Sequence, residues 1–174
     1  MKPKGPLVLI VMGSDSDLPV MKEAAETLEK FNVPFEMIIS SAHRSPGRTI
    51  EQAKSAAGRG IKVIIAGAGG AAHLPGVIAS VTVLPVIGVP METKSLAGLD
   101  SLFSIVQMPK GVPVACMAIG SPGAANAGIL AVQVLAAGSE ELKTKLTEYK
   151  KSLEKSVNEK SEKLKKIGYR NYKG

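Results

Sequence analysis

The chain has 174 residues, of which 45% are hydrophobic, and this length favours one compact domain with a single sizeable core. The net charge of +7 is unevenly placed: residues 139–174 hold 11 basic and 6 acidic side chains, whereas residues 1–138 hold 11 and 9. The nearly neutral main part argues against a nucleic-acid-binding protein. The chain has a single cysteine, which excludes a disulfide framework. The apolar runs are too short for a signal peptide or a membrane span. We therefore expect a soluble, cytoplasmic protein.

Strand-length apolar runs alternate with helical patterns up to residue 138. Five runs are apolar at consecutive positions, which is typical of strands covered on both faces: 7–13, 35–40, 62–67, 84–90 and 112–120. Between and after them, helices are predicted at 19–31, 46–58, after His73, at about 97–107 and at 123–138. This alternation predicts an α/β domain, a three-layer αβα arrangement around a flavodoxin-like parallel sheet.

The pattern changes at Ser139, so we divide the chain into a catalytic domain, 1–138, and a basic C-terminal helix, 139–174. In the second part apolar residues recur every three or four positions and then once more later, which places them on one helix face: Leu142, Leu146, Tyr149, Leu153, Val157 and Leu164. This stripe docks either on its own domain or on another subunit, and we favour the subunit contact. Charges of both signs on the polar face make membrane binding a weaker alternative.

The first of three loops that follow strands is GSDSD, residues 13–17. In parallel sheets, ligands bind beyond the carboxyl ends of the strands, where such loops lie. The hydroxyls of Ser14 and Ser16 and the free amides of a helix start would suit a phosphate. The two aspartates would repel phosphate, so Asp17 is better suited to accept hydrogen bonds from ribose hydroxyls. The alternative is that Asp17 only caps the helix.

The second loop, SSAHRSP at residues 40–46, contains one of the two histidines of the chain. Arg44 can bind a phosphate through two parallel hydrogen bonds. An imidazole such as that of His43 can accept and return a proton near neutral pH. Considered alone, His43 is more simply explained as a surface residue with a capping role.

The third loop, AGAGGAAHLPG at residues 66–76, combines small residues with His73 and allows a ligand to approach the backbone closely. It matches G-x-G-x-x-A, and Glu92 follows about 20 residues later, as in a dinucleotide-binding fingerprint. The match raises a dinucleotide-binding alternative. We discount that alternative because the match follows the third strand and because Pro75 interrupts the expected regular helix. The sequence has no metal-ligand spacing, Walker loop or G-x-S-x-G elbow. Together the loops predict a site for a phosphorylated ribose compound, with proton transfer by histidine and no cofactor or metal.

The three loops, in this order and at this spacing, resemble the N5-carboxyaminoimidazole ribonucleotide mutase family of de novo purine biosynthesis (class I PurE). The matching segments are VMGSDSD, SAHRSP, AGAGGAAHLPG, SIVQMPKGVPV and GAANAG. A sister branch carboxylates aminoimidazole ribonucleotide with free carbon dioxide. It typically lacks AAHLPG and often has lysine after the first histidine, so this sequence resembles the mutase branch. Ser45 stands where threonine is usual, and the lysine-rich tail is longer than in many relatives.

The resemblance implies a carboxylate transfer from N5 to C4 through enclosed carbon dioxide, without a cofactor or metal. It implies that His43 is the general acid/base. It also implies a substrate-binding set around it: Ser14, Ser16, Asp17, Ser41, Ala42, Arg44, Gly69, Gly70, Ala71, His73 and Leu74. The family forms homo-octamers, which would give the C-terminal helix its partner. The alternatives left open are a carboxylase that uses free carbon dioxide, a non-catalytic nucleotide-binding module, and RNA binding by the tail.

Overall fold

A five-stranded parallel sheet organises the first of two compact units, Met1–Leu135 and Ala136–Gly174, in a computed structural model that describes residues 5–173. The strand order is β2-β1-β3-β4-β5 and every neighbouring pair is parallel. The strands are β1 (Val8–Met12), β2 (Phe35–Ile39), β3 (Val63–Ala68), β4 (Val86–Pro90) and β5 (Ala115–Cys116). This is the flavodoxin-like order, so the predicted fold class is confirmed.

Helices follow the strands in the predicted sequence and complete the three-layer α/β arrangement. They are α1 (Leu18–Lys30), α2 (Pro46–Ala56), α3 (Leu74–Ala79), α4 (Leu99–Val106) and α5 (Ser121–Ala136). The remaining helix, α6 (Glu140–Ile167), belongs to the second unit. Prolines lie in the first turns of α1, α2 and α3, where a missing N–H costs nothing. Left-handed Gly60 ends the short 3-10 turn after α2.

The core lies around the three central strands, whose residues are all buried. The outer strands differ from the prediction that every apolar run is covered on both faces. Strand β2 is only half-buried and ends at Ile39, which is 47% exposed, and β5 is partly exposed. Each of these strands has one neighbour instead of two, so the helices cover it less completely.

The predicted strand at 112–120 is the clearest error, because only Ala115 and Cys116 pair as a strand. Proline explains the late start, since Pro113 has no N–H to donate to a ladder and the backbone turns before it through Val112 N–H to Pro109 O at 3.2 Å. Cys116, in this short strand, is partly buried.

The second unit consists mainly of α6, which begins at the N-cap Ser139, whose hydroxyl accepts from the backbone N–H of Leu142. The predicted boundary at residue 138 lies near the division between the units, and what this helix packs on stays a prediction. None of the residues of α6 is buried. Among residues 5–173, no helix is both long enough and apolar enough to cross a bilayer.

Candidate active site

The register of the sheet brings the three loops to one edge. Met12 pairs with Ile39 on one side and with Gly67 on the other, and Ala68 pairs with Pro90. The carboxyl ends of the four strands β2, β1, β3 and β4 are therefore level, and the chain leaves each of them on the same side. Backbone hydrogen bonds continue the pairing into the loops, as from Gly13 N–H to Gly67 O at 3.2 Å.

A cleft of about 450 Å³ opens at this edge. All the predicted site residues except Gly70 line it, and they come from all three loops: Ser14, Ser16, Asp17, Ser41, Ala42, His43, Arg44, Gly69, Ala71, His73 and Leu74. The fold thus brings these predicted residues together. Contact of each with a substrate stays a prediction.

The first loop is held by a reciprocal cap. The Asp17 carboxylate accepts from the backbone N–H of Ser14 at 3.1 Å, and the Ser14 hydroxyl accepts from the backbone N–H of Ser16 at 3.4 Å. Asp17 is the N-cap residue of α1, but its side chain makes no cap hydrogen bond to that helix and instead closes the short 3-10 turn Asp15–Asp17 before it. Asp17 also lines the cleft. Burial raises the pKa of this carboxyl from 3.8, with the hydrogen bond from Ser14 N–H opposing that shift.

The second loop is a closed turn that ends at α2. Ser45 Oγ accepts from Ser41 N–H and donates to Ser41 O, both at 3.1 Å. Buried Ser40 and Thr49 share a hydroxyl hydrogen bond of 2.8 Å that ties the loop to α2. The Ser45 hydroxyl therefore shapes this turn.

Arg44 reaches from the second loop across to the first. Its Nη2 donates to Gly13 O at 3.0 Å, and its Nε lies 3.5 Å from Ser41 Oγ. These contacts hold the guanidinium at the wall of the cleft, where it can receive an anion.

The two histidines of the chain meet across the cleft. His43 Nε2 and His73 Nδ1 lie 2.7 Å apart, and the rings stand edge to face at 83°. One ring must donate and the other accept in this bond, so a single proton lies between them. His43 comes from the second loop and His73 precedes α3 in the third, so the contact links two loops that are 30 residues apart.

Gly70 is the predicted residue that does not line the cleft. Its backbone turns inward at φ +64°, where its N–H donates to Ser101 Oγ at 2.9 Å and its carbonyl accepts from Ser104 Oγ at 3.3 Å. Both groups are thus used to join the third loop to α4. A direct contact of Gly70 with substrate is a prediction that this geometry does not support.

Five lining residues were not among the predicted site residues: Gly13, Ala68, Ala72, Met91 and Glu92. Met91 and Glu92 directly follow β4, so the rule that loops after parallel strands form the site was a sufficient signal for them. Glu92 entered the sequence analysis only through the discounted dinucleotide motif. Across residues 5–173, no three histidine, cysteine or carboxylate side chains are grouped as a metal site.

Residues 7–156 match the model of the AIR carboxylase family. The chain is 60% identical over 172 residues to the N5-carboxyaminoimidazole ribonucleotide mutase of Pyrococcus horikoshii, covering 99% of this chain and 96% of that protein. The mutase of Thermotoga maritima is also 60% identical and covers 96% of each chain.

Two further relatives widen the comparison. The phosphoribosylaminoimidazole carboxylase of Schizosaccharomyces pombe is 53% identical over 97% of this chain but only 30% of its own length. The crystal structure of Treponema denticola PurE matches with a TM-score of 0.84 at 28% identity, over 92% of this chain and 99% of that one. The sequence match, the shared fold and the three-loop cleft agree: the chain belongs to the AIR carboxylase family.

Proposed function

We propose that this protein interconverts N5-carboxyaminoimidazole ribonucleotide and 4-carboxy-5-aminoimidazole ribonucleotide in purine biosynthesis. The relatives from Pyrococcus horikoshii and Thermotoga maritima that bear the mutase name match it over nearly their whole length. The observation on which the mechanism rests is the contact of 2.7 Å between His43 and His73 at the wall of the cleft.

The reaction needs one group that both donates and accepts a proton. As the N5–carboxylate bond breaks, carbon dioxide leaves and N5 gains a proton from His43. The electron-rich C4 then attacks the carbon dioxide, and the C4 proton returns to His43, so the enzyme ends in its starting state. An imidazole suits both steps near neutral pH, and no oxidant, metal or nucleotide cofactor enters the balance.

His73 positions His43 for this exchange. The hydrogen bond between the rings fixes the orientation of the His43 imidazole and selects which of its nitrogens holds a proton. Both rings are exposed at the cleft rather than packed in the core, so a substrate can reach them.

Small and apolar side chains would hold the released carbon dioxide. Ala68, Ala71 and Ala72 line the cleft with Met91 and the small Gly69. A Cβ at Gly69 would lie 3.2 Å from Met91 Cβ, so a larger residue would crowd this wall. Carbon dioxide kept beside C4 is captured without diffusing to solvent, which is a proximity effect.

Polar side chains around the histidines would hold the nucleotide. Arg44 would bind the phosphate, and Asp17 would accept from ribose hydroxyls. Ser14, Ser16 and Ser41 line the same cleft and would add hydroxyl groups. A homo-octamer, with α6 packing on neighbouring subunits, and a cytoplasmic location belong to the same proposal. The exposed apolar side chains of α6 support the first, and the single cysteine supports the second.

A carboxylase that uses free carbon dioxide is the second candidate, because the family model and the Schizosaccharomyces pombe relative bear carboxylase names. The two are separated by giving purified protein each substrate in turn. We expect rapid consumption of the N5-carboxylated nucleotide. Turnover of aminoimidazole ribonucleotide with bicarbonate, and none of the N5-carboxylated compound, would overturn the mutase proposal. No turnover of either would favour a non-catalytic nucleotide-binding module.

A further inference from the structure

A second cleft, of about 430 Å³, lies beside the first. The two share four lining residues: Gly13, Ser14, Ser41 and Arg44. The second cleft adds Arg48, a residue that neither the motifs nor the proposed mechanism uses. A ligand lying along the shared wall could therefore extend from the histidine pair to a position between two guanidinium groups.

Arg48 has a free side chain, in contrast to Arg44. Arg44 already donates from Nη2 to Gly13 O at 3.0 Å, which uses one of its N–H donors. Within the described part of the chain, the guanidinium of Arg48 makes no hydrogen bond or ion pair, so all five of its N–H donors remain for a ligand. Arg48 also lies in the first turn of α2, which has no acidic residue, and a cation there is opposed by the helix dipole.

The charged side chains of the second cleft give it a net positive charge. Asp15 lines it together with the two arginines. Hydrogen bonds from the Ser14 hydroxyl and from the backbone N–H of Ser16 lower the pKa of the Asp15 carboxyl, so it is ionised at neutral pH. Its charge offsets that of Arg44, and Arg48 leaves the cleft with a net positive charge that suits an anion.

We propose that Arg48 binds the phosphate monoester of the substrate jointly with Arg44, in the second cleft, and so makes the enzyme selective for the nucleotide over the nucleoside. This rests on the proposed function, because that function supplies a phosphorylated substrate. A phosphate monoester carries a charge of nearly −2 at neutral pH, and guanidinium groups match its oxygens in geometry as well as in charge.

The test compares Arg48→Gln with Lys54→Gln, which removes the same charge from an exposed position on the same helix. Inorganic phosphate is the probe, titrated by ³¹P NMR and used as a competitive inhibitor of turnover. We expect Arg48→Gln to raise the dissociation and inhibition constants of phosphate, and the KM of the nucleotide, by about 10-fold or more. We expect kcat to stay within about twofold, Lys54→Gln to match the wild type, and Arg48→Lys to recover part of the affinity.

Three results would overturn the role of Arg48: wild-type protein that binds no phosphate, an Arg48→Gln variant that binds it as tightly as Lys54→Gln, or a fall in kcat with unchanged phosphate binding. The NMR titration needs no turnover. An inactive wild type would therefore contradict the mutase proposal, while phosphate binding would still decide the role of Arg48.

Discussion

At the scale of single residues, the two histidines share one hydrogen bond. Only one proton lies between His43 Nε2 and His73 Nδ1, so both rings cannot be fully protonated while the 2.7 Å contact persists. While this contact persists, the proton that His43 exchanges with substrate must therefore be carried by its other ring nitrogen, Nδ1.

Asp17 shows a conflict between stability and function. Burial raises the pKa of its carboxyl from 3.8, so the folded protein binds this proton more tightly than the unfolded chain does. The stability contributed by the protonated form is fully present below the ordinary pKa, and it is lost as pH rises through the raised pKa. At neutral pH the ionised carboxylate thus lowers the free energy of unfolding.

We predict that Asp17→Asn gains stability relative to wild type as pH rises from below 3.8 to 7. The amide oxygen can still accept from Ser14 N–H, so the cap is retained. Urea midpoints of the variant and the wild type at several pH values measure the difference in stability. A difference that is constant with pH would contradict the prediction.

The KM for the nucleotide should rise about 10-fold in Asp17→Asn if Asp17 accepts from the ribose.

At the scale of elements, the helix pair α1 and α5 meets at a glycine. A Cβ at Gly128 would lie 2.8 Å from Thr27 Cβ and 3.0 Å from Ala24 O. The second of these is a backbone atom that cannot rotate away, so the close approach of the helices depends on the missing side chain. This fits a core that packs through small residues and contains few aromatic ones.

We predict that Gly128→Ala lowers the free energy of unfolding by about 1–3 kcal/mol, because the helices must separate. Gly47→Ala is the matched control: Gly47 is also in a helix, and a Cβ there meets nothing within 4 Å. It should raise the free energy of unfolding by about 0.5 kcal/mol. Urea unfolding compares the two, and equal effects would show that α1 and α5 do not require glycine at this position.

Local pattern was sufficient to predict most elements but not their pairing. Continuous apolar runs predicted the central strands β1, β3 and β4. Proline and glycine predicted the start of α2 and, approximately, its end. The strand predicted at 112–120 is reduced to the two residues of β5, because apolar character does not show that Pro113 delays the pairing.

The residue types in the three loops predicted the chemistry of the site. The distances between these residues could not be predicted, because they depend on the order and register of the strands. The contact between His43 and His73 depends on β1 lying between β2 and β3. Arg48 was missed because it lies inside a helix rather than in a loop. Only the structure shows that it lines a cleft next to the site.

At the scale of the whole molecule, the second unit holds half of the basic side chains and carries exposed apolar side chains on α6. Residues 139–174 contain 11 of the 22 basic side chains. Leu153 and Val157 are 45% and 65% exposed. Apolar side chains at this spacing on a long helix are typical of a contact with another chain.

We predict that Leu153→Asp reduces the proposed octamer to smaller species in a sedimentation velocity experiment, because it places a charge in a buried subunit contact. Ser152→Asp introduces the same charge at the neighbouring exposed position and should leave the assembly intact. If both variants sediment like the wild type, α6 does not hold subunits together.

The central claim, that the imidazole of His43 moves the proton, is tested most directly by the turnover of His43→Asn on the N5-carboxylated nucleotide. Asparagine keeps a polar group beside His73 but cannot exchange a proton. We predict that kcat falls by about 10²–10⁴-fold, while circular dichroism and binding of the 4-carboxylated product match the wild type. A variant that turns the substrate over at the wild-type rate would contradict the account.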